Sequence, residues 1–193
     1  MGRTLFAACM MALAAAAVSA DATNVGNISF GGTGCPAAGN GIQVKVGSNG
    51  KRLIVYTPDM QVDLQSARLD RKACAITIPV ALAADERLVL GRPSVFGKEQ
   101  LAAGSQLTAT AEVFFAGAQG PKVSHSLQGT SSPSVSDFYE IGADQVVSGC
   151  GEALNLRANT TVLATRAAGS ADGGQAKVRG LAFDAKIEQC TVP

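Results

Sequence analysis

Cys74-Ala75-Ile76-Thr77-Ile78-Pro79-Val80-Ala81-Leu82 alternates large apolar residues with small or polar ones at a period of two. Side chains of an extended chain point to opposite faces in turn, so Ile76, Ile78, Val80 and Leu82 share one face. That alternation is the mark of a half-buried β-strand, and Pro79 within it predicts an edge position or a bulge. The same period governs the chain on either side. Over 107–115 the inward set is Leu107, Ala109, Ala111, Val113 and Phe115. Over 154–164 it is Leu154, Leu156, Ala158, Val162 and Ala164, with Asn155, Arg157 and Asn159 outward. Over 177–190 it is Leu181, Phe183, Ala185 and Ile187. Shorter strands are expected over 25–30, 42–46, 52–57 and 87–96.

Turn residues separate these runs: Gly31-Gly32-Thr33-Gly34, Ser48-Asn49-Gly50, Gly117-Ala118-Gln119-Gly120 and Asp172-Gly173-Gly174. Asn49-Gly50 between two apolar runs is a strong hairpin signal. Many short strands with regular turns predict an all-β fold, an antiparallel β-sandwich of jelly-roll-like type. A turn of helix is expected around 83–86 and around 98–103. Residues 124–137, rich in Ser, Thr and Gly, are expected to form a long exposed loop. There is no internal repeat and no domain linker.

The N-terminus gives the address. Met1-Gly2-Arg3 places a positive charge ahead of an uncharged apolar run over 5–18, and Val18-Ser19-Ala20 supplies small residues before a cleavage point. Charge, apolar run and small residues in that order predict a secretory signal peptide over 1–20. Ala20-Asp21-Ala22 offers a second cut after Ala22. The run is shorter than the roughly 20 residues a membrane-spanning helix needs, and no later stretch is long and apolar enough to span. A single secreted domain over 21–193 is therefore expected, extracellular or in the cell wall, with no membrane contact after cleavage. Losing Arg3 leaves 15 of the 16 basic residues against 15 acidic ones. A neutral chain has no overall field to gather nucleic acid.

Five cysteines become four once Cys9 leaves with the signal. An even number in an exported chain reads as disulfides. Of the three pairings, Cys35–Cys74 with Cys150–Cys190 gives each half of the domain its own clamp and is preferred. A metal site is disfavoured, since there is no Cys-x-x-Cys spacing and His125 is the single histidine.

Several stretches resemble a known family. They are Phe30-Gly31-Gly32-Thr33-Gly34-Cys35-Pro36, Asp70-Arg71-Lys72-Ala73-Cys74-Ala75-Ile76, Val113-Phe114-Phe115, and Ser148-Gly149-Cys150-Gly151 leading into Leu154-Asn155-Leu156-Arg157, closed by Cys190. Together they resemble domain-of-unknown-function family 4360 (DUF4360), secreted four-cysteine proteins of fungi, oomycetes and bacteria. The resemblance spans nearly the whole mature chain. Gly149 stands where the family often has Pro, and aliphatics stand where its middle strands carry more aromatics. The resemblance implies no catalytic residues.

Residue chemistry points away from catalysis. A Ser-His-Asp arrangement would have to use His125, which lies in a polar stretch and is expected at the surface without an orienting carboxylate. A glycosidase pair would come from Asp137, Glu140 and Asp144, but spacings of three and four do not share a strand face. The same three lack the Asp-x-Asp-x-Asp-Gly pattern of a Ca²⁺ loop. Gly31-Gly32-Thr33-Gly34 lacks the Lys-Ser/Thr of a phosphate loop and is expected to ease the backbone into Cys35. With no Trp and only Tyr56 and Tyr139, an aromatic binding platform has little material. Of the adjacent Phe114 and Phe115, Phe115 is expected in the core and Phe114 on the outer face, covered. Asn27-Ile28-Ser29 and Asn159-Thr160-Thr161 fit the N-glycosylation pattern at Asn27 and Asn159. No catalytic, metal or cofactor residues are therefore assigned, and no cofactor is expected. The expected function is non-catalytic: a wall, coat or matrix component, or a surface-binding module whose partner is an extracellular polymer or a protein. A hydrolase of extracellular polymer and a secreted effector or inhibitor are the alternatives.

Overall fold

The computed structural model describes residues 26–36, 41–47, 51–170 and 173–190. The leader over 1–20 and the Asn49-Gly50 turn lie outside these residues. Within them the chain forms β1 (Ser29–Gly31), β2 (Gln43–Val46), β3 (Arg52–Tyr56), β4 (Gln61–Asp63), β5 (Leu69–Ala81) and β6 (Glu86–Leu101). There follow β7 (Ser105–Phe115), β8 (Lys122–Gln128), β9 (Ser136–Ile141), β10 (Gln145–Val147), β11 (Ala153–Arg166) and β12 (Gly174–Gln189). The smaller sheet has the order β1-β5-β11-β7-β8. The larger runs β10-β6-β12-β3-β2, with β9 also on β6 and β4 also on β12. All strand pairs in both sheets are antiparallel. The protein is an antiparallel β-sandwich with two disulfides.

The alternation decides which side chains are inside. Ile76 and Ile78 of β5, Leu107, Ala109, Ala111 and Val113 of β7, and Leu156, Ala158 and Val162 of β11 are buried. They form one cluster with Leu88, Leu90 and Val95 of β6, Val55 of β3, and Leu181 and Phe183 of β12. Removing that surface from water is the main drive to hold the sheets together. Phe115 is buried and Phe114 is half-buried on the opposite face. Ile187, expected inside, is 45% exposed. Pro79 is tolerated because its carbonyl accepts from Gly26 N (2.8 Å), beyond the end of β1. In an antiparallel strand the missing N–H faces that same side, so the ladder to β11 loses nothing.

One expectation of helix and one of loop give way to strand, and a second expectation of helix gives way to a tight turn. Residues 98–101 continue β6, paired throughout with β12 and, at Lys98 and Glu99, also with β9. Residues 83–86 make a tight turn in which Glu86 N donates to Ala83 O (2.9 Å) and Ala83 N to the Glu86 carboxylate (3.0 Å). The polar stretch from 124 begins inside β8, which pairs with β7 from Gln106 to Glu112. Only 129–135 links β8 to β9.

Cys35 bridges Cys74 with Cα atoms 5.4 Å apart, and Cys150 bridges Cys190 at 6.3 Å. The glycines before Cys35 lay the chain against β5: Gly34 N donates to Ala73 O (2.9 Å) and Ala73 N to Thr33 Oγ1 (3.1 Å). Gly32 has φ 136°, and a Cβ there would strike the Ala73 carbonyl, so only glycine fits.

Candidate functional site

Residues opposite one another in neighbouring strands share a face and touch. The registers of the larger sheet align Gln43 (β2), Tyr56 (β3), Gly180 (β12), Phe96 (β6) and Tyr139 (β9) in one row across five strands. Both tyrosines of the protein and one phenylalanine therefore meet on the sheet's outer face. Tyr56 and Phe96 stand edge-to-face, 6.2 Å between centroids. They reach each other over Gly180, where a Cβ would lie 2.9 Å from the Phe96 ring and against the Val55 carbonyl. Lys45 Nζ sits 5.4 Å from the Tyr56 centroid, a cation–π distance. Tyr139 is 58% exposed, with exposed Ile141 beside it on β9.

Arg52 fixes one end of the row. Its guanidinium donates to Asp184 Oδ1 (2.7 Å), Ser94 Oγ (2.6 Å) and the Tyr139 hydroxyl (3.2 Å). Arg92 Nε donates to the other oxygen of Asp184 (2.7 Å). Burial pushes the Asp184 carboxyl up, but the hydrogen bonds and charges of Arg92 and Arg52 outweigh it and hold the carboxyl below its ordinary value. The Arg92 guanidinium is raised by the same bond. Arg92 has φ 43° and marks a register shift between β6 and β12.

A second shift, between Val178 and Gly180, inserts Arg179 as an extra residue in β12. A bulge of this kind re-aims a side chain. Arg179 lines three adjoining hollows. One of about 330 Å³ lies over Arg52, Tyr56, Phe96 and Tyr139. One of about 590 Å³ lies over Gln43, Tyr56, Pro58 and Lys177. One of about 330 Å³ lies over Gln61, Lys98, Gln100, Val135, Gln175 and Lys177. They make an open, elongated face of aromatic rings, amides and cations, with Asp137, which Lys98 holds, and Glu99 also in the lining.

Asp137, Glu140 and Asp144 do not converge, and of the three Glu140 alone approaches His125. Asp137 is 70% exposed and pairs with Lys98 (3.4 Å), and Asp144 is exposed beyond β9. Asp137 and Glu140 lie on opposite faces of β9, as their spacing requires. His125 departs from the expected surface position. Its side chain is 17% exposed, because β8 turns Val123, His125 and Leu127 inward. The ring stacks on Phe138 of β9 at 4.6 Å and 2°. Nε2 is 3.4 Å from buried Glu99 and Nδ1 is 3.7 Å from Glu140. This stack closes the seam between the two sheets. His125 Nε2 and Glu99 Oε2 have no hydrogen-bond partner, so no nucleophile is hydrogen-bonded to that nitrogen. Among the described residues no three His, Cys, Asp or Glu side chains form a metal-holding group, and no helix is long and apolar enough to cross a membrane. Asn27 is exposed just before β1, and Asn159 is half-buried on the outer face of the smaller sheet.

The aromatic row escaped the sequence reading because its members come from strands far apart in the chain. Alternation reveals which face each occupies but not which strand lies beside which.

No curated protein matches the chain. Among solved structures, TmCBM61 in complex with β-1,4-galactotriose aligns over 84% of this chain and 88% of its own, at 11% identity and TM-score 0.23. A family 11 carbohydrate-binding module from Clostridium thermocellum, in complex with a mixed-linked tetrasaccharide, aligns over 85% and 90% at 11% identity and TM-score 0.21. A family two carbohydrate esterase from Cellvibrio japonicus aligns over 86% of this chain and 36% of its own, at 9% identity and TM-score 0.23. At these values the likeness stops at strands packed in sheets. The family match is of another order: residues 21–191 fit the domain of unknown function DUF4360, and the chain belongs to that family.

Proposed function

We propose that the protein is a secreted, non-catalytic module that binds an extracellular polysaccharide along the outer face of its larger sheet. The observation that carries this reading is the row in which Tyr56, Phe96 and Tyr139 align across β3, β6 and β9. Tyrosine offers a rigid apolar face and a polar tip at low conformational cost. A sugar ring, apolar on its C–H faces and polar at its rim, suits rings flanked by Gln43, Gln61 and Gln175. The open, elongated shape suits a chain better than a small enclosed ligand. The two disulfides are compatible with an oxidising, extracellular setting. In this reading residues 1–20 are removed as a signal peptide and 21–193 form a single mature domain. Glycans on Asn27 and Asn159 would lie away from the binding face.

The test is affinity electrophoresis of the mature protein through gels containing wall and matrix polysaccharides. The wild type is expected to be retarded by at least one polymer. Tyr139→Ala is expected to weaken that retardation about tenfold, roughly 1.4 kcal/mol, with the thermal melt showing an intact fold. Retardation unchanged in both Tyr139→Ala and Tyr56→Ala would sink the proposal, as would a wild type that no polymer slows.

A further inference from the structure

The cations of this face are not equally engaged. Arg52 and Arg92 are bound to Asp184, and Lys98 is paired with Asp137. Lys45 lies over the Tyr56 ring. Lys177 and Arg179 have neither an ion pair nor a side-chain hydrogen bond within the described residues. Together they line two of the hollows, and Arg179 lines the third as well. The bulge places Arg179 in the middle of the face, beside the aromatic row. On a chain whose formal net charge is only +1, two uncommitted cations at the centre of one groove are a local, directed charge.

We infer that the polymer is acidic: a polysaccharide whose carboxylate groups are received by Lys177 and Arg179 while its sugar rings lie on Tyr56, Phe96 and Tyr139. This rests on the binding reading above and names its ligand class. The spacing fits. Lys177 sits opposite Lys98, two residues along β6 from Phe96, so its row lies about 7 Å from the aromatic one. That is the reach of a carboxylate carried on a stacked sugar ring plus one charge-assisted hydrogen bond of about 2.8 Å. A guanidinium can grip such a carboxylate with two parallel bonds, while the lysine adds a point charge.

The experiment compares binding to polygalacturonate, alginate and hyaluronate with binding to the carboxyl-reduced form of each, which keeps the backbone and loses the charge. At least one acidic form is expected to bind tenfold or more tightly than its reduced counterpart, with the preference shrinking as salt rises. Lys177→Gln/Arg179→Gln is expected to bring the acidic form down towards the level of the reduced one. Arg157→Gln, a charge removed from the outer face of β11 in the smaller sheet, is expected to leave the ratio as it was. Equal affinity for both forms, with Tyr139→Ala weakening both, overturns the acidic ligand and leaves the binding module standing. Preference for dextran sulfate with no response to any of the three carboxylate polymers also overturns it. Absence of binding to every polymer, charged or reduced, overturns both readings.

Discussion

Asp184 holds two guanidinium groups at once, and its side chain is 29% exposed. Its carboxyl lies below the ordinary value of 3.8 in the folded chain, so over that window the unfolded chain binds more protons than the folded one. The stability it contributes is complete above the ordinary value and is lost as the pH falls through the lower, folded one. Asp184→Asn should therefore cost about 1 kcal/mol at pH 6, and the gap to wild type should narrow as the pH approaches 2. Urea midpoints measured from pH 6 to pH 2 would show it; parallel curves would mean the carboxylate contributes nothing through its charge. The same substitution frees Arg52, which holds the Tyr139 hydroxyl, so stability and the shape of the binding face depend on one residue. None of this was legible in the sequence. Arg52, Arg92 and Asp184 lie far apart along the chain, and only the register of β3 and β6 on β12 joins them.

At the scale of elements, the strands with regular apolar alternation were legible and the polar ones were not. β7 shows Leu107, Ala109, Ala111, Val113 and Phe115 inward, as its sequence demands. β8 obeys the same rule, but with His125 between Val123 and Leu127 and serines on the outer positions its composition reads as loop. The cysteines were legible because their even number within the expected mature chain constrains them, and the two clamps differ in setting. Cys35 and Cys74 are 3% and 2% exposed, whereas Cys150 lies exposed at the surface. Each bridge closes a loop of about 40 residues, and by the chain-entropy model each stabilises by about 4 kcal/mol. A graded reductant should open Cys150–Cys190 first, with the core bridge yielding only as the fold opens. Alkylation and peptide mass mapping would record the order, and simultaneous loss of both would refute it.

Across the whole molecule, the sandwich class was legible because period two recurs along most of the described chain, while the order of strands was not. Alternation says which side of a strand is buried and is silent on its neighbours. The order that results has a particular form: β11 lies between β5 and β7, and β12 lies between β6 and both β3 and β4. The central strand of each sheet is thus one of the last two in the sequence. Until residues 153–189 have emerged, β5 and β7 have no common partner, and β6 has none on the side that faces β3. Such long-range pairings form slowly, because the intervening chain must be ordered before they repay the cost. A chain ending at residue 152 should show no amide-exchange protection at the β5 and β7 amides that face β11 or at the β6 amides that face β12, and protection there would refute this order of assembly. During synthesis neither sheet can therefore be completed until residues 153–189 are available. In the secreted reading proposed above, the chain crosses a translocation pore unfolded, and a topology that closes its sheets only with residues 153–189 postpones folding to the far side.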